Sequence, residues 1–220
     1  MIANFYKEDN DRVESDYPSV DTRGVFGLNI AALTREAAAV MLERLICERT
    51  PVRLAFVNAN LANMAYEDFE LHRMLGHFLL LNDGVGLNIA SRLLYGNPFP
   101  DNLNGTDFTP FFLDQCRTPL NVFLLGSKPA IIMRVAEIFS RRWPRHCLVG
   151  YHDGYFNDVD EDCVIEKIRS AKPQLLLVAM GNGLQERWVE KLVPEMTLSA
   201  WGVGALFDFL AGEVQRAPLW

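Results

Sequence analysis

From residue 54 onward the chain repeats one unit: a short apolar run, a loop holding glycine or asparagine, then a helical pattern. The runs are Leu54-Ala55-Phe56-Val57, Phe78-Leu79-Leu80-Leu81, Val122-Phe123-Leu124-Leu125, Leu175-Leu176-Leu177-Val178 and Leu198-Ser199-Ala200-Trp201, with a weaker one at Cys147-Leu148-Val149. None alternates between apolar and polar positions, so each predicts a strand covered on both faces, as in a parallel sheet. Between them the spacing of apolar residues predicts helices over 85–95, 106–116, 129–143, 161–171 and 185–192. Ahead of the series, residues 25–30 predict one short strand. Thr34 then N-caps a helix with Ala38, Met41, Leu42, Leu45 and Ile46 on one stripe. Strands alternating with helices give right-handed βαβ units. The expected fold is α/β: an open, mostly parallel Rossmann-like sheet with helices on both faces. Residues 1–22 lack periodicity and read as a flexible leader, leaving 23–220 as a single α/β domain.

Composition narrows the class. Half of the 220 residues are apolar and 22% are charged, enough to fill a core and too apolar for a disordered chain. The net charge of −7 argues against nucleic acid, which needs a basic face. No apolar run reaches the roughly 18 residues of a transmembrane helix, and the polar, acidic start is unlike a signal peptide. Cys47, Cys116, Cys147 and Cys163 lie far apart with no CxxC pair, which reads as reduced, buried thiols. The chain reads as a soluble intracellular globular protein.

In an open parallel sheet the loops after the strands' C-terminal ends share one edge, where ligands bind. Here they are Asn58-Ala59-Asn60, Asn82-Asp83-Gly84, Gly126-Ser127-Lys128, His152-Asp153-Gly154, Gly181-Asn182-Gly183 and Gly202-Val203-Gly204. Most run into a helix N-terminus, whose amides and dipole attract phosphate. A phosphate-bearing ligand is the first functional inference.

Single motifs say less. Gly181-Asn182-Gly183 and Gly202-Val203-Gly204 each begin a GxGxxG, but Glu186 and Phe207 replace the third glycine, which argues against an NAD site. Each is either a phosphate contact or a tight turn needing glycine. Asp158-Val159-Asp160 matches the DxD of metal-dependent sugar transferases. It also opens a helix, where acidic residues complement the dipole, so no metal site is expected. Asp83 follows an uninterrupted apolar run, so burial raises its pKa and suits it to take a proton from a hydroxyl. The plain alternative is a turn aspartate bonded to its own backbone. Asn58 and Asn60 either bind hydroxyls or, for Asn60, cap the next helix. Arg141-Arg142-Trp143-Pro144-Arg145 reads as a helix C-terminus stopped by proline, or else as a membrane-surface contact. His72, His77, His146 and His152 show no ligand spacing, and no GxSxG elbow is present.

Taken in order, several blocks resemble the WecG/TagA/CpsF family of glycosyltransferases. They are Asn82-Asp83-Gly84-Val85-Gly86, Asn104-Gly105-Thr106-Asp107, Val122 to Gly126, His152-Asp153-Gly154-Tyr155-Phe156, Met180 to Trp188, and Gly202 to Asp208 continuing to Arg216-Ala217-Pro218. The resemblance covers about residues 25–220. It implies an inverting transferase moving a hexose or hexosamine-type sugar from a UDP-sugar to a polyprenyl-diphosphate-linked sugar, in cell-surface polysaccharide synthesis. That work takes place peripherally, at the inner face of the cell membrane. No metal or other cofactor is implied. The family's proposed base falls on Asp83. Acceptor contacts fall on Asn58, Asn60, Asn104 and Asp107. Donor contacts fall on Gly126, Ser127, Lys128, Gly181, Asn182, Gln185, Glu186, Gly204 and Asp208. The amides of Gly126-Ser127 and Gly181-Asn182 would meet the leaving diphosphate.

Two departures qualify the match. Relatives using N-acetylmannosamine-type donors often carry glutamate-arginine where this chain reads Asp101-Asn102-Leu103-Asn104, which makes a neutral hexose credible. Members also usually continue into a basic, aromatic tail that contacts membrane and donor, whereas this chain stops at Trp220. The competing readings are a non-catalytic sugar-nucleotide-binding subunit and an NAD-dependent oxidoreductase. Oligomeric state is open.

Overall fold

The computed structural model describes residues 20–214. The chain enters through a hairpin, β1 (Thr22–Val25) and β2 (Leu28–Ala31), paired antiparallel about a two-residue turn. The single strand expected over 25–30 is therefore two. Phe26 and Gly27 hold the turn with φ of 53° and 78°, the two positive values that a twisted two-residue hairpin requires. Phenylalanine is uncommon there, so the turn leaves no mark in the residue pattern. Of the expected leader, residues 1–19 lie outside the described residues, and Thr22 already belongs to β1.

The elements then follow as α1 (Arg35–Cys47), β3 (Val52–Val57), α2 (Ala59–Glu67), α3 (Phe69–Leu75), β4 (Leu79–Asn82) and α4 (Val85–Tyr95). Next come α5 (Gly105–Gln115), β5 (Asn121–Gly126), α6 (Pro129–Arg142), β6 (Cys147–His152) and α7 (Asp158–Ala171). The described chain closes with β7 (Leu175–Ala179), α8 (Leu184–Leu192), β8 (Ser199–Gly202) and α9 (Leu206–Ala211). The sheet has eight strands in the order β1-β2-β4-β3-β8-β7-β5-β6, and every pairing beyond the hairpin is parallel. This is the expected open, mostly parallel sheet.

Local chemistry sets the helix starts. Thr34 caps α1 by accepting from the Ala37 amide at 3.2 Å. The Asn157 side chain accepts from the Val159 and Asp160 amides, which starts α7 at Asp158 rather than at 161. The acidic DxD segment therefore lies inside the helix, at its positive end. The strands' unbroken apolar character is also accounted for. Along β5, Val122 and Leu124 enter one core cluster with Trp201 and Phe112, while Phe123 and Leu125 enter a second on the opposite face with Leu176 and Val189.

The Arg141–Arg145 segment is the expected helix C-terminus: α6 ends at Arg142 ahead of Pro144, and Trp143 is buried and donates to the Asp114 carboxylate at 2.6 Å. Arg142 stacks on that indole, and Arg145 donates to the Cys116 carbonyl at 2.9 Å. Two other expectations change. Only Cys116 of the four cysteines is buried; Cys47, Cys147 and Cys163 are exposed, at the end of α1, on edge strand β6 and on α7. Helices α2, α3 and α9 fill stretches for which the pattern named none. Among the described residues no helix is long and apolar enough to cross a membrane.

Candidate active site

The loops after β3, β4, β5, β6, β7 and β8 open on one end of the sheet. With the segment ahead of α5 they wall a cleft of about 930 Å³, within the range of small-molecule sites. Each of the six loops singled out in the sequence contributes to the lining. Glycine makes the close approach possible. Gly126 leaves β5 with φ +128°, and a Cβ there would sit 2.2 Å from the Ala179 carbonyl oxygen of neighbouring β7.

Asp83 stands at the end of β4, half-buried in this lining. Its amide donates to the Val57 carbonyl at 2.8 Å, which fixes the backbone against β3. The turn that follows is closed by a different residue: Gly84 donates its amide to the Asn102 side chain at 2.8 Å. Among the described residues no hydrogen-bond donor reaches the Asp83 carboxylate. The plain reading of a self-bonded turn aspartate therefore does not hold. Burial, reinforced by the charge of Asp107, pushes its pKa up to about 6.

The surrounding polar groups are held in pairs. Asn104 caps α5, accepting from the Asp107 amide and donating to the Asp107 carboxylate, both at 2.9 Å. Asn58 caps α2 by accepting from the Leu61 amide at 2.9 Å, and it also accepts from the Asn182 side chain at 3.1 Å. Ser127, in the left-handed region at φ 58°, donates its hydroxyl to Asp208 at 3.0 Å. Gln185 accepts from the Gly204 amide at 3.1 Å and donates to Glu186 at 2.7 Å. Three of these contacts, Asn182 to Asn58, Ser127 to Asp208 and Gly204 to Gln185, cross from one loop to another and fix the cleft in advance of any ligand.

A model of the Glycosyl transferase WecG/TagA/CpsF family matches residues 23–220. The chain belongs to that family. A protein of Bacillus spizizenii named N-acetylglucosaminyldiphosphoundecaprenol N-acetyl-beta-D-mannosaminyltransferase is 34% identical over 143 residues, covering 63% of this chain and 54% of that protein. One of the same name from Bacillus subtilis is 30% identical over 172 residues, covering 76% of this chain and 65% of the relative. The matched stretches thus span less than two thirds of either relative's length.

Most residues picked from the family's motifs meet in the cleft: Asp83, Asn58, Asn104 and Asp107 on one side, Ser127, Lys128, Gly181, Asn182, Gln185, Gly204 and Asp208 on the other. Three do not line it. Asn60 lies on the exposed surface of α2, bonded to Met64, and Asn58 rather than Asn60 is the helix cap. Gly126 lies within β5, beneath the lining. Glu186 is fully buried and accepts from the Gly183 amide at 2.5 Å, with burial raising its pKa. It braces the α8 loop from beneath the cleft surface. The Ser127 amide is likewise committed, to the Ala179 carbonyl at 2.9 Å, so it is not the anion contact the motif implied. The lining adds Asn102, Tyr155 and Phe209. Tyr155 lies within a family block and Asn102 just ahead of one, while nothing in the pattern marks Phe209. Lys128 is the one cation among the described lining residues, which also include the carboxylates Asp83, Asp107 and Asp208. Gly126-Ser127-Lys128, Gly154-Tyr155-Phe156, the α8 loop and the β8–α9 turn lie on the sheet half beyond β3, and Asp83 lies on the other.

Proposed function

We propose that the chain transfers a sugar from a UDP-sugar to a hydroxyl of a polyprenyl-diphosphate-linked sugar at the inner face of the cell membrane, with inversion at the anomeric carbon. The observation that carries this is the Asp83 carboxylate. It lines the cleft, half-buried and without a hydrogen-bond donor, with its pKa pushed up to about 6. Such a group is ionised at neutral pH yet basic enough to accept a proton. In the proposed step the acceptor oxygen attacks the anomeric carbon and gives its proton to Asp83. The bond to the diphosphate oxygen breaks, and UDP leaves with that electron pair. Lys128 and the Gly181-Asn182 turn at the head of α8 are suited to the developing charge on the diphosphate. Asn58, Asn104 and Asp107, on the Asp83 side, are suited to the acceptor's hydroxyls.

The two named relatives support N-acetylglucosaminyl-diphosphoundecaprenol as acceptor and an N-acetylmannosaminyl group as the transferred sugar. Asn102 bears on the second point. It lines the cleft without a charge, and its side-chain oxygen accepts from the Gly84 amide, so a neutral hexose donor belongs in the same test. The test offers a panel of UDP-sugars with a short-chain polyprenyl-diphosphate N-acetylglucosamine and weighs the product. A mass gain of one sugar is expected, lost in Asp83→Asn. UDP binding with no product from any donor would favour a non-catalytic sugar-nucleotide-binding subunit instead.

A further inference from the structure

Helix α4 starts two residues after Asp83 and leaves an apolar stripe in solvent. Val85, Ile89 and Leu93, spaced four apart on one face, are 73%, 56% and 81% exposed, and Leu94 beside them is 63% exposed. The helix buries only Leu87 and Ser91. Exposed residues of this size in a row are not a normal solvent face. The charge pattern is equally one-sided. From Gly84 to Pro100 there is no carboxylate, and Arg92 is the sole charge, in a chain of net charge −7. A second element adds to the same edge of the molecule. The Tyr95 hydroxyl, at the end of α4, bonds both the amide and the carbonyl of Gly24 at 2.8 and 3.1 Å. Two residues further on, Phe26 holds the strained tip of the β1–β2 hairpin, 50% exposed. An aromatic side chain kept in solvent at φ 53°, a conformation that suits asparagine or glycine, implies a use for it.

We propose that the α4 stripe, with Phe26, is a lipid-binding face that seats this edge of the molecule in the headgroup layer of an anionic bilayer. Aliphatic and aromatic side chains beside a lone cation, with carboxylates absent, match such a surface. The inference rests on the lipid-linked acceptor of the proposed function. The acceptor's tail stays in the bilayer, so the reacting hydroxyl is held within a sugar and a diphosphate of the surface. Helix α4, 11 residues or about 16 Å long, runs from the mouth of the cleft and would hold Asp83 within that reach.

The test is flotation of the full chain with vesicles of phosphatidylglycerol and phosphatidylethanolamine, comparing wild type, Ile89→Ser with Leu93→Ser, and Arg92→Glu. All three positions are surface positions, so folding is not at stake. The wild type should float. Each apolar substitution should weaken vesicle affinity about tenfold, and Arg92→Glu should weaken it only where phosphatidylglycerol is present. With a short-chain, water-soluble acceptor the double variant should transfer as well as wild type. Equal flotation of wild type and double variant, or none by the wild type, would overturn the proposal. So would a dimer in ultracentrifugation that dissolves in the double variant while flotation is unchanged, since the face would then join two copies. Normal transfer with flotation indifferent to α4 removes the lipid face and leaves the transferase. Flotation that depends on α4 without transfer from any donor does the reverse.

Discussion

At the scale of single residues, the site turns on how unlike its neighbours Asp83 is. The side chains of Asn58, Ser127 and Gln185 each hold a partner in another loop, and Asn104 holds Asp107 within the helix start it caps, whereas the Asp83 carboxylate meets only the like charge of Asp107. Asp83→Asn should leave UDP binding near wild type while turnover falls ~10²–10⁴-fold, read by calorimetry beside the product assay. The wild-type rate should fall about tenfold per pH unit below 6 as the base protonates, and Asp107→Asn should move that limb to lower pH by removing the repulsion. The same carboxylate costs stability. Its folded pKa of about 6 lies above the ordinary 3.8, so folding disfavours the ionised form. The cost is complete above pH 6 and disappears below 3.8. Asp83→Asn should therefore be more stable than wild type by about 3 kcal/mol at pH 8 and equal to it near pH 3, which urea titrations at the two pH values would check. The sequence marked Asp83 because it follows an uninterrupted apolar run, with Asn82 between. It could not show that Asn102 takes over the turn, since Gly84 and Asn102 lie eighteen positions apart.

At the scale of elements, the loops are held by helix caps that reach across the cleft. Asn58 serves α2 and the β7–α8 loop with one oxygen, so Asn58→Ala should lower the free energy of unfolding by about 1–2 kcal/mol and loosen Asn182. Glu186 does more. Truncating it to alanine leaves the Gly183 amide and the Gln185 side chain without an acceptor in a dry interior, a loss of about 2–4 kcal/mol measurable by urea denaturation; Glu186→Gln, which keeps one acceptor, should lose less. The family motif brought Gln185 and Glu186 forward as a pair of donor contacts. Burial separates them, because the α8 start turns Gln185 to the cleft and Glu186 inward, and a motif carries no sign of which way a side chain points. Helix bodies were legible since their apolar stripes repeat over several turns; α4 has the bounds its pattern predicted. Short helices such as α9, with six residues, offer too few repeats. The hairpin was hidden because its turn uses phenylalanine.

At the scale of the whole molecule, alternation of strands and helices is enough to call for a parallel sheet, and unbroken apolar strands for cover on both faces. Strand order is another matter. Nothing local to β8 says that it inserts between β3 and β7, yet that insertion joins the Asp83 half of the sheet to the half carrying Lys128 and the α8 loop. The cleft therefore exists only when both halves are folded together, and a ligand spanning it should stabilise the molecule as one unit. UDP at a hundredfold its dissociation constant should add about 2.7 kcal/mol to unfolding. Hydrogen exchange should locate the gain. Protection should rise in the loops after β5, β7 and β8, through Ser127, Gly181 and Gly204, and it should stay constant at the opposite end of the sheet. That end has its own basic hollow, lined by Arg49, Arg169 and Lys172, of about 560 Å³. It is the natural competitor for a phosphate. Two of its cations stand at helix C-termini, where they complement the dipole, and Arg169 already pairs with Glu166 and Glu195 at 2.7 and 2.9 Å. A diphosphate would have to displace those carboxylates there, whereas Lys128 stands at the head of α6, where dipole and charge act in the same direction. Protection appearing around Arg169 instead of Ser127 would move the nucleotide to the wrong end of the sheet, and with it the role given to Asp83.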